Sequence, residues 1–303
     1  MARTADAKDP AVAPAPSAPG TPGCVWHNGV FSAPDDVRVS PFDFGWLYGD
    51  GLFETLRTYG RRPFRLGAHL ARLARSAEQL RFPPLPSEAE LEAAVLGAVE
   101  RAGLPEAYLR ITATRGTGSA GLDPAGCKTP TVLVAALTLR TWPAALYTQG
   151  ARLTLLWPRG HQDWPLPTIK STSYQRTVIA KAELRRRGVD EGIYLDEDGC
   201  VTEASVSNLF IVRGKTVLTP PASRCLPGVT RAEVLDIARE AGLDAREELL
   251  RPEDLRAADE VFLTGSLAEL VPAVQLDGHA LGSGRPGPVW DQLRSLYLAR
   301  TRM

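Results

Sequence analysis

Apolar and polar positions in this chain change period several times, and each change predicts an element. Val25-Trp26-His27-Asn28-Gly29-Val30-Phe31 alternates around an Asn-Gly pair, which predicts a hairpin. Gly49-Asp50-Gly51 turns the chain into a strand from Leu52 to Tyr59, and Pro63 to Leu66 reads as a short strand. Leu66, Leu70, Leu73, Ala77 and Leu80 then recur at helical spacing, giving a helix that ends before Pro83. Ser87, with Glu90 one turn on, forms a capping box for a second helix to about Ala102. Strands follow at Tyr108 to Thr114 and Thr131 to Leu139. Together these predict an α+β unit in which two strand pairs flank two helices.

A connection at Thr141-Trp142-Pro143 leads into a second unit. It begins with a strand from Arg152 to Leu156, then a loop rich in Trp and Pro. A helix is expected from Ser171 to Arg187, stopped by Gly188. Strands are expected at Gly192 to Leu195, Asn208 to Val212 and Thr216 to Leu218, then a helix from Val229 to Ala241. Strands at Glu260 to Leu263 and Val271 to Leu276 precede a last helix from about Val289. Sequential strands joined by hairpins argue against a doubly wound parallel sheet. The expected division is a disordered Ala/Pro-rich tail over 1–23, a small α+β domain over 24–140 and a larger domain over 141–303.

Composition narrows the function without choosing it. Lys plus Arg equals Asp plus Glu at 35 each, so nothing globally basic points to nucleic acid or a membrane surface. No apolar run is long enough to cross a bilayer, and the first residues lack a hydrophobic signal core. Cys24, Cys127, Cys200 and Cys225 are scattered, with no C-x-x-C pair, which argues against zinc or a disulfide framework and for the cytoplasm.

The chemistry gathers around Lys170. Trp157, Trp164, Pro165, Leu166 and Pro167 precede it, and an amine lined by such walls is a usable nucleophile. Glu203 follows at the end of a strand, with Ser205, Ser207 and Asn208 able to buttress its carboxylate. A carboxylate against a pyridine nitrogen keeps that nitrogen protonated, and the ring can then accept electrons. An amine for an aldehyde and a carboxylate for a ring nitrogen are the two poles of a pyridoxal phosphate site. Gly228-Val229-Thr230-Arg231 opens a helix, whose amides suit an anion, and Thr264-Gly265-Ser266 offers a second cradle. Arg72 can add a guanidinium. His27, His69 and His279 carry no visible chemistry, and His161 and Arg159 precede Lys170 in the loop.

Six stretches in order now resemble the class IV aminotransferase family, the fold-type IV pyridoxal phosphate enzymes. They are Tyr48 to Arg57, His69 to Leu73, Lys170, Thr202 to Ser205 with Asn208, Leu226 to Arg231, and Thr264 to Ser266. The resemblance implies a small N-terminal α+β domain, a larger barrel-like C-terminal domain and a homodimer. It implies that Lys170 carries the cofactor aldehyde and moves the proton. Glu203 would pair with the ring nitrogen, and Arg72, the amides of Val229 and Thr230, and Ser266 would hold the phosphate. Tyr174 lies where relatives place a residue near the cofactor oxygen.

The expected member of the family is a 4-amino-4-deoxychorismate lyase, which forms 4-aminobenzoate and pyruvate for folate precursor synthesis. Thr114 to Gly118, Ser171 to Tyr174 and Ser266 to Glu269 resemble that enzyme. The alternative is an amino acid aminotransferase. Phe53-Glu54-Thr55-Leu56-Arg57 and Tyr108-Leu109-Arg110-Ile111 resemble branched-chain enzymes, with a Gly and a Pro of the usual pattern replaced. The Arg-x-His pair usual in D-amino acid enzymes is missing after Arg115-Gly116. A non-catalytic cofactor-binding sensor is a weaker rival. Arg57, Arg110 and Arg115 are the candidates for substrate carboxylates.

Overall fold

The computed structural model describes residues 22–119, 121–157 and 168–302. They form two sheets. The first is built from β1 (Gly23–His27), β2 (Val30–Ser32), β3 (Gly51–Tyr59), β4 (Arg62–Pro63), β5 (Ala107–Thr114) and β6 (Thr131–Thr138). Short α1 (Phe44–Tyr48) precedes β3, and α2 (Leu66–Gln79) and α3 (Glu88–Ala102) separate β4 from β5. The strands lie in the order β2-β1-β6-β5-β3-β4, all antiparallel. The two expected strand pairs are therefore one sheet, because β1 pairs with β6 and β6 with β5. Gly23, expected in the tail, already pairs with Leu137 in β1.

Alternation decides which side chains face where. In β5, Ala107, Leu109, Ile111 and Ala113 are buried, while Tyr108, Arg110, Thr112 and Thr114 take the opposite face. The buried face packs under α2 and α3, where Leu70, Leu73, Val95 and Val99 join Leu109, Ile111 and Val134 in one core. Each such aliphatic side chain contributes about 1.5–3 kcal/mol on burial. The Ser87 capping box is formed: Ser87 Oγ accepts from the Glu90 amide at 3.3 Å, and Glu90 Oε2 accepts from the Ser87 amide at 2.8 Å. Glu54 shares the core-facing register of β3 with Leu52 and Leu56, a carboxylate on an otherwise apolar face.

The rest of the described chain forms the second sheet and the helices around it. Its members are α4 (Ala144–Thr148), β7 (Ala151–Leu155), α5 (Gln175–Arg187), β8 (Glu191–Leu195), β9 (Val201–Ala204), β10 (Asn208–Arg213) and β11 (Thr216–Thr219). They continue with α6 (Val229–Glu240), β12 (Asp244–Glu247), α7 (Pro252–Arg256), β13 (Glu260–Gly265), β14 (Glu269–Leu276), β15 (His279–Ala280) and α8 (Pro288–Thr301). The order is β12-β11-β10-β13-β14-β7-β8-β9, with β15 on β14. Three pairs are parallel (β11–β12, β14–β7, β7–β8) and the others antiparallel. The sheet curls: β9, at one end, meets β10 through a tight turn in which the Ala204 amide donates to Ser207 O at 2.8 Å.

The expected helix from Ser171 starts only at Gln175. Residues 170–172 instead lie extended against the start of β3. Phe53 N donates to Lys170 O at 2.9 Å and Thr172 N to Gly51 O at 2.8 Å. Backbone groups already paired with a strand are not free to begin a helix. β12, which the sequence did not suggest, is an edge strand of mainly polar residues in which Ala245 alone is buried.

Candidate functional site

Lys170 belongs in sequence to the second sheet but is held by the first. The approach that seats it is close: a Cβ at Gly51 would come within 2.7 Å of Thr172 Oγ1. Thr172 and Ser173 hydroxyls both donate to Gly49 O, at 2.8 and 3.1 Å. With the backbone pinned, Lys170 Nζ lies 3.4 Å from the Tyr174 hydroxyl and 4.6 Å from the centroid of the Phe53 ring. Tyr174 N-caps α5 and meets Phe53 edge-on.

Glu203 comes from β9 and is buried. The Leu226 amide donates to its Oε2 at 3.1 Å, and Asn208 Nδ2 stands 3.5 Å from the same oxygen. Asn208 Nδ2 also donates to Leu226 O at 2.8 Å, so β9, β10 and the turn before α6 are tied together. Gly228 caps α6 without a side-chain bond. A Cβ there would meet Asn208 Oδ1 at 2.0 Å, which makes the close approach specific to glycine. The amides of Val229 and Thr230 lie in the first turn of α6, where no intrahelical acceptor exists.

Arg72 and Ser266 reach the same region through a network whose other members the sequence reading missed. Arg72 donates to both oxygens of Glu54, from Nε at 2.8 Å and from Nη2 at 2.6 Å, and from Nη1 to Pro227 O at 2.9 Å. His69 Nδ1 is 2.7 Å from Glu54 Oε2, and its Nε2 is 3.5 Å from Ser266 Oγ. Burial works to raise the Glu54 carboxyl, but hydrogen bonds from Arg72 and His69 outweigh it and hold it at about 2. Burial lowers His69 against the pull of Glu54. A neutral His69 facing a carboxylate carries its hydrogen on Nδ1, which leaves Nε2 to accept from the Ser266 hydroxyl. The available signal was Glu54 itself, a charge at a core-facing strand position, with His69 and Arg72 one turn apart on the facing helix.

The three candidate arginines part company. Arg115 is buried and committed: Nε donates to Asp50 Oδ2 at 2.6 Å, and its other nitrogens donate to the carbonyls of Leu80 and Arg81. Arg57 lies 3.4 Å from Glu269 Oε1 and 3.7 Å from Glu106 Oε2. Arg110 donates to Thr112 Oγ1 at 3.1 Å and covers the Phe53 ring at 4.0 Å. Among the described residues no carboxylate pairs with it.

One cavity of about 980 Å³ gathers these pieces, and Lys170, Arg72, Tyr174, Glu203, Asn208, Val229, Thr230 and Ser266 all line it. Tyr108, Arg110 and Arg115 line it too. The Trp/Pro loop expected beside Lys170, with Arg159 and His161, lies at 158–167, outside the described residues. The donor set fits pyridoxal phosphate: the Lys170 amine, the buried Glu203 carboxylate and open helix amides share one cavity of the size of a cofactor site. Thr264 Oγ1 adds a buried hydroxyl without a partner among the described residues, next to this wall.

The family model for amino-transferase class IV matches residues 51–276. A branched-chain-amino-acid aminotransferase candidate of Methanocaldococcus jannaschii is 38% identical over 276 residues, covering 90% of this chain and 94% of that protein. The crystal structure of the Escherichia coli branched-chain amino acid aminotransferase superposes with a TM-score of 0.87 at 32% identity, covering 91% of this chain and 94% of that one. A T.th. branched-chain amino acid aminotransferase, solved with N-(5'-phosphopyridoxyl)-L-glutamate, gives a TM-score of 0.86 at 34% identity, covering 92% and 94%. The chain belongs to the amino-transferase class IV family. It is an enzyme with the fold-type IV architecture, and its α+β fold is the one the sequence predicted.

The expectation of a deoxychorismate lyase, and with it folate precursor synthesis, finds no support, because these relatives are branched-chain aminotransferases. Several of the residues that suggested the lyase do scaffold work here. Thr114 donates to Asp43, Arg115 to Asp50, and Thr172 and Ser173 to Gly49 O. Contacts of that kind hold the fold and say little about substrate.

Proposed function

We propose that this chain transfers amino groups between branched-chain L-amino acids and 2-oxo acids. It is a pyridoxal phosphate-dependent aminotransferase of class IV. When bound, the cofactor supplies an aldehyde for the amino group and a ring that takes up the electron pair released at the substrate carbon. Lys170 would hold it through the amine and carry the proton at Nζ, with the Tyr174 hydroxyl 3.4 Å away to orient that nitrogen. Glu203, buttressed by Asn208 and the Leu226 amide, would pair with the ring nitrogen and keep it protonated. Arg72, the amides of Val229 and Thr230, and Ser266 hold the phosphate.

The observation that carries the substrate reading is the contrast among the arginines. Arg115 and Arg57 already face carboxylates, whereas Arg110 lines the cavity and pairs with no carboxylate among the described residues. Arg110 is the substrate-carboxylate ligand in this reading, with Tyr108 beside it on the same face of β5. Phe53, Val206 and Leu267 add apolar lining for an aliphatic side chain. The identities of 38% and 33% to proteins named for branched-chain substrates support the choice.

The assembly in this reading is a homodimer. Phe42 and Trp46 are 66% and 78% exposed, and Val178 on α5 is 65% exposed. Tyr48 of the same α1 lines the cavity, so a second copy seated on α1 would close the mouth of the site. The division at 140/141 separates the two sheets as two domains, and the four buried cysteines, none in a disulfide, support the cytoplasm.

A substrate panel tests the reading. Amino transfer from L-leucine and L-glutamate to 2-oxo acids is expected, with little transfer from D-alanine. Pyruvate release from aminodeoxychorismate without an amino acceptor, or transfer from D-alanine alone, would overturn it.

A further inference from the structure

Glu269 opens β14 with a φ of +60°. Glycine suits that left-handed backbone and glutamate does not. The side chain is also buried, at 6% exposure, where an unpaired carboxylate is strongly disfavoured. A costly residue in a costly conformation must be held, and three side chains from two elements hold it. Tyr59 Oη of β3 donates to Oε1 at 2.8 Å, Arg57 Nη1 of β3 lies 3.4 Å from the same oxygen, and Arg294 Nη2 of α8 lies 3.8 Å from Oε2. Arg57 is itself braced over the Tyr59 ring at 4.4 Å.

The location gives the grip its meaning. Glu269 pairs with Gly265 across the β13–β14 hairpin, so it closes the turn Ser266-Leu267-Ala268. Tyr147 Oη donates to Ala268 O at 3.1 Å, and His69 meets Ser266. This turn lines the cavity. The two sheets are thus fastened to each other at the loop that presents Ser266, and Arg57, left without a substrate role, has a use.

We propose that Glu269 is a positioning residue: its buried carboxylate latches the Ser266–Ala268 turn to β3 through Tyr59 and Arg57, and so sets Ser266 toward the cofactor phosphate. The latch rests on the reading of Ser266 as a phosphate ligand.

The test titrates apoenzyme with pyridoxal 5'-phosphate and, separately, with pyridoxal, which lacks the phosphate. Glu269→Gly keeps the backbone comfortable and removes the latch; it should weaken the phosphate form about tenfold and pyridoxal by less than about twofold. Glu269→Gln still accepts from Tyr59 and should recover to within about threefold of the wild type. Wild-type affinity in Glu269→Gly, or equal weakening of both ligands in it, would overturn the proposal. Ser266→Ala separates the two claims. If it weakens the phosphate form while Glu269→Gly does not, the latch alone falls. If Ser266→Ala binds like the wild type, the phosphate reading falls and takes the latch with it.

Discussion

At the scale of single residues, the most consequential group is one without an expected role. Glu54 stands beneath the site and fixes Arg72 by two charged hydrogen bonds, which spares the guanidinium from choosing its own rotamer. Breaking a buried pair leaves an uncompensated charge, so Glu54→Gln should cost about 3–5 kcal/mol, read as a shift of the urea midpoint. The pH dependence has a definite sign. The folded carboxyl is held at about 2, below its ordinary value of 4.5, so its stabilisation is complete above the ordinary value and is lost as pH falls toward the lower one. Urea melts of the wild type between about pH 5 and 3 should therefore slope downward more steeply than those of Glu54→Gln. Equal slopes would show that the carboxylate is not held as the geometry requires. Lys170 and Glu203, which line one cavity, were legible as candidates in the sequence because an amine and a carboxylate carry their chemistry in their type. His69 was not, since a lone helix histidine takes its meaning from a neighbour on a separate element, here Glu54 of β3.

At the scale of elements, the site depends on starts and turns rather than on helix or strand interiors. The strap 170–172 is bound to β3, and the small hydroxyl residues that follow Lys170 had read as the first turn of a helix. Local propensity cannot report a backbone partner more than a hundred positions away. The start of α6 shows the opposite case. Leu226-Pro227-Gly228 signalled a helix start correctly, but the reason for the glycine is tertiary. Gly228 has an ordinary φ of −67°, so alanine would suit the backbone, yet its Cβ would meet Asn208 Oδ1 at 2.0 Å. Gly228→Ala should push Asn208 from Leu226 O and Glu203 and weaken pyridoxal 5'-phosphate about tenfold, with the melting temperature lowered by only a few degrees. Apoenzyme titration and a thermal scan decide it, and unchanged affinity would mean that Asn208 does not support Glu203.

At the scale of the whole molecule, two sheets meet along the cavity, each supplying one side of the chemistry. β3 and β5 bring Phe53, Tyr108 and Arg110; β9, β10 and α6 bring Glu203, Asn208 and the helix amides. If α1 seats a second copy, the wild type should sediment as a dimer, and Trp46→Glu should shift it toward monomer. The same change should lower amino transfer, because Tyr48 of that helix borders the cavity. A wild-type monomer at micromolar concentration would refute the assembly. The sequence alone determined most of the elements, the family and the candidate residues that the fold gathers in one cavity, because periodicity and chemical type are written locally. Only the tertiary structure decided which arginines already face carboxylates, why a buried glutamate accompanies Arg72, and where Lys170 is pinned. Those answers depend on which distant groups meet and neutralise one another, and charge pairing across a fold leaves no trace in the spacing along a chain.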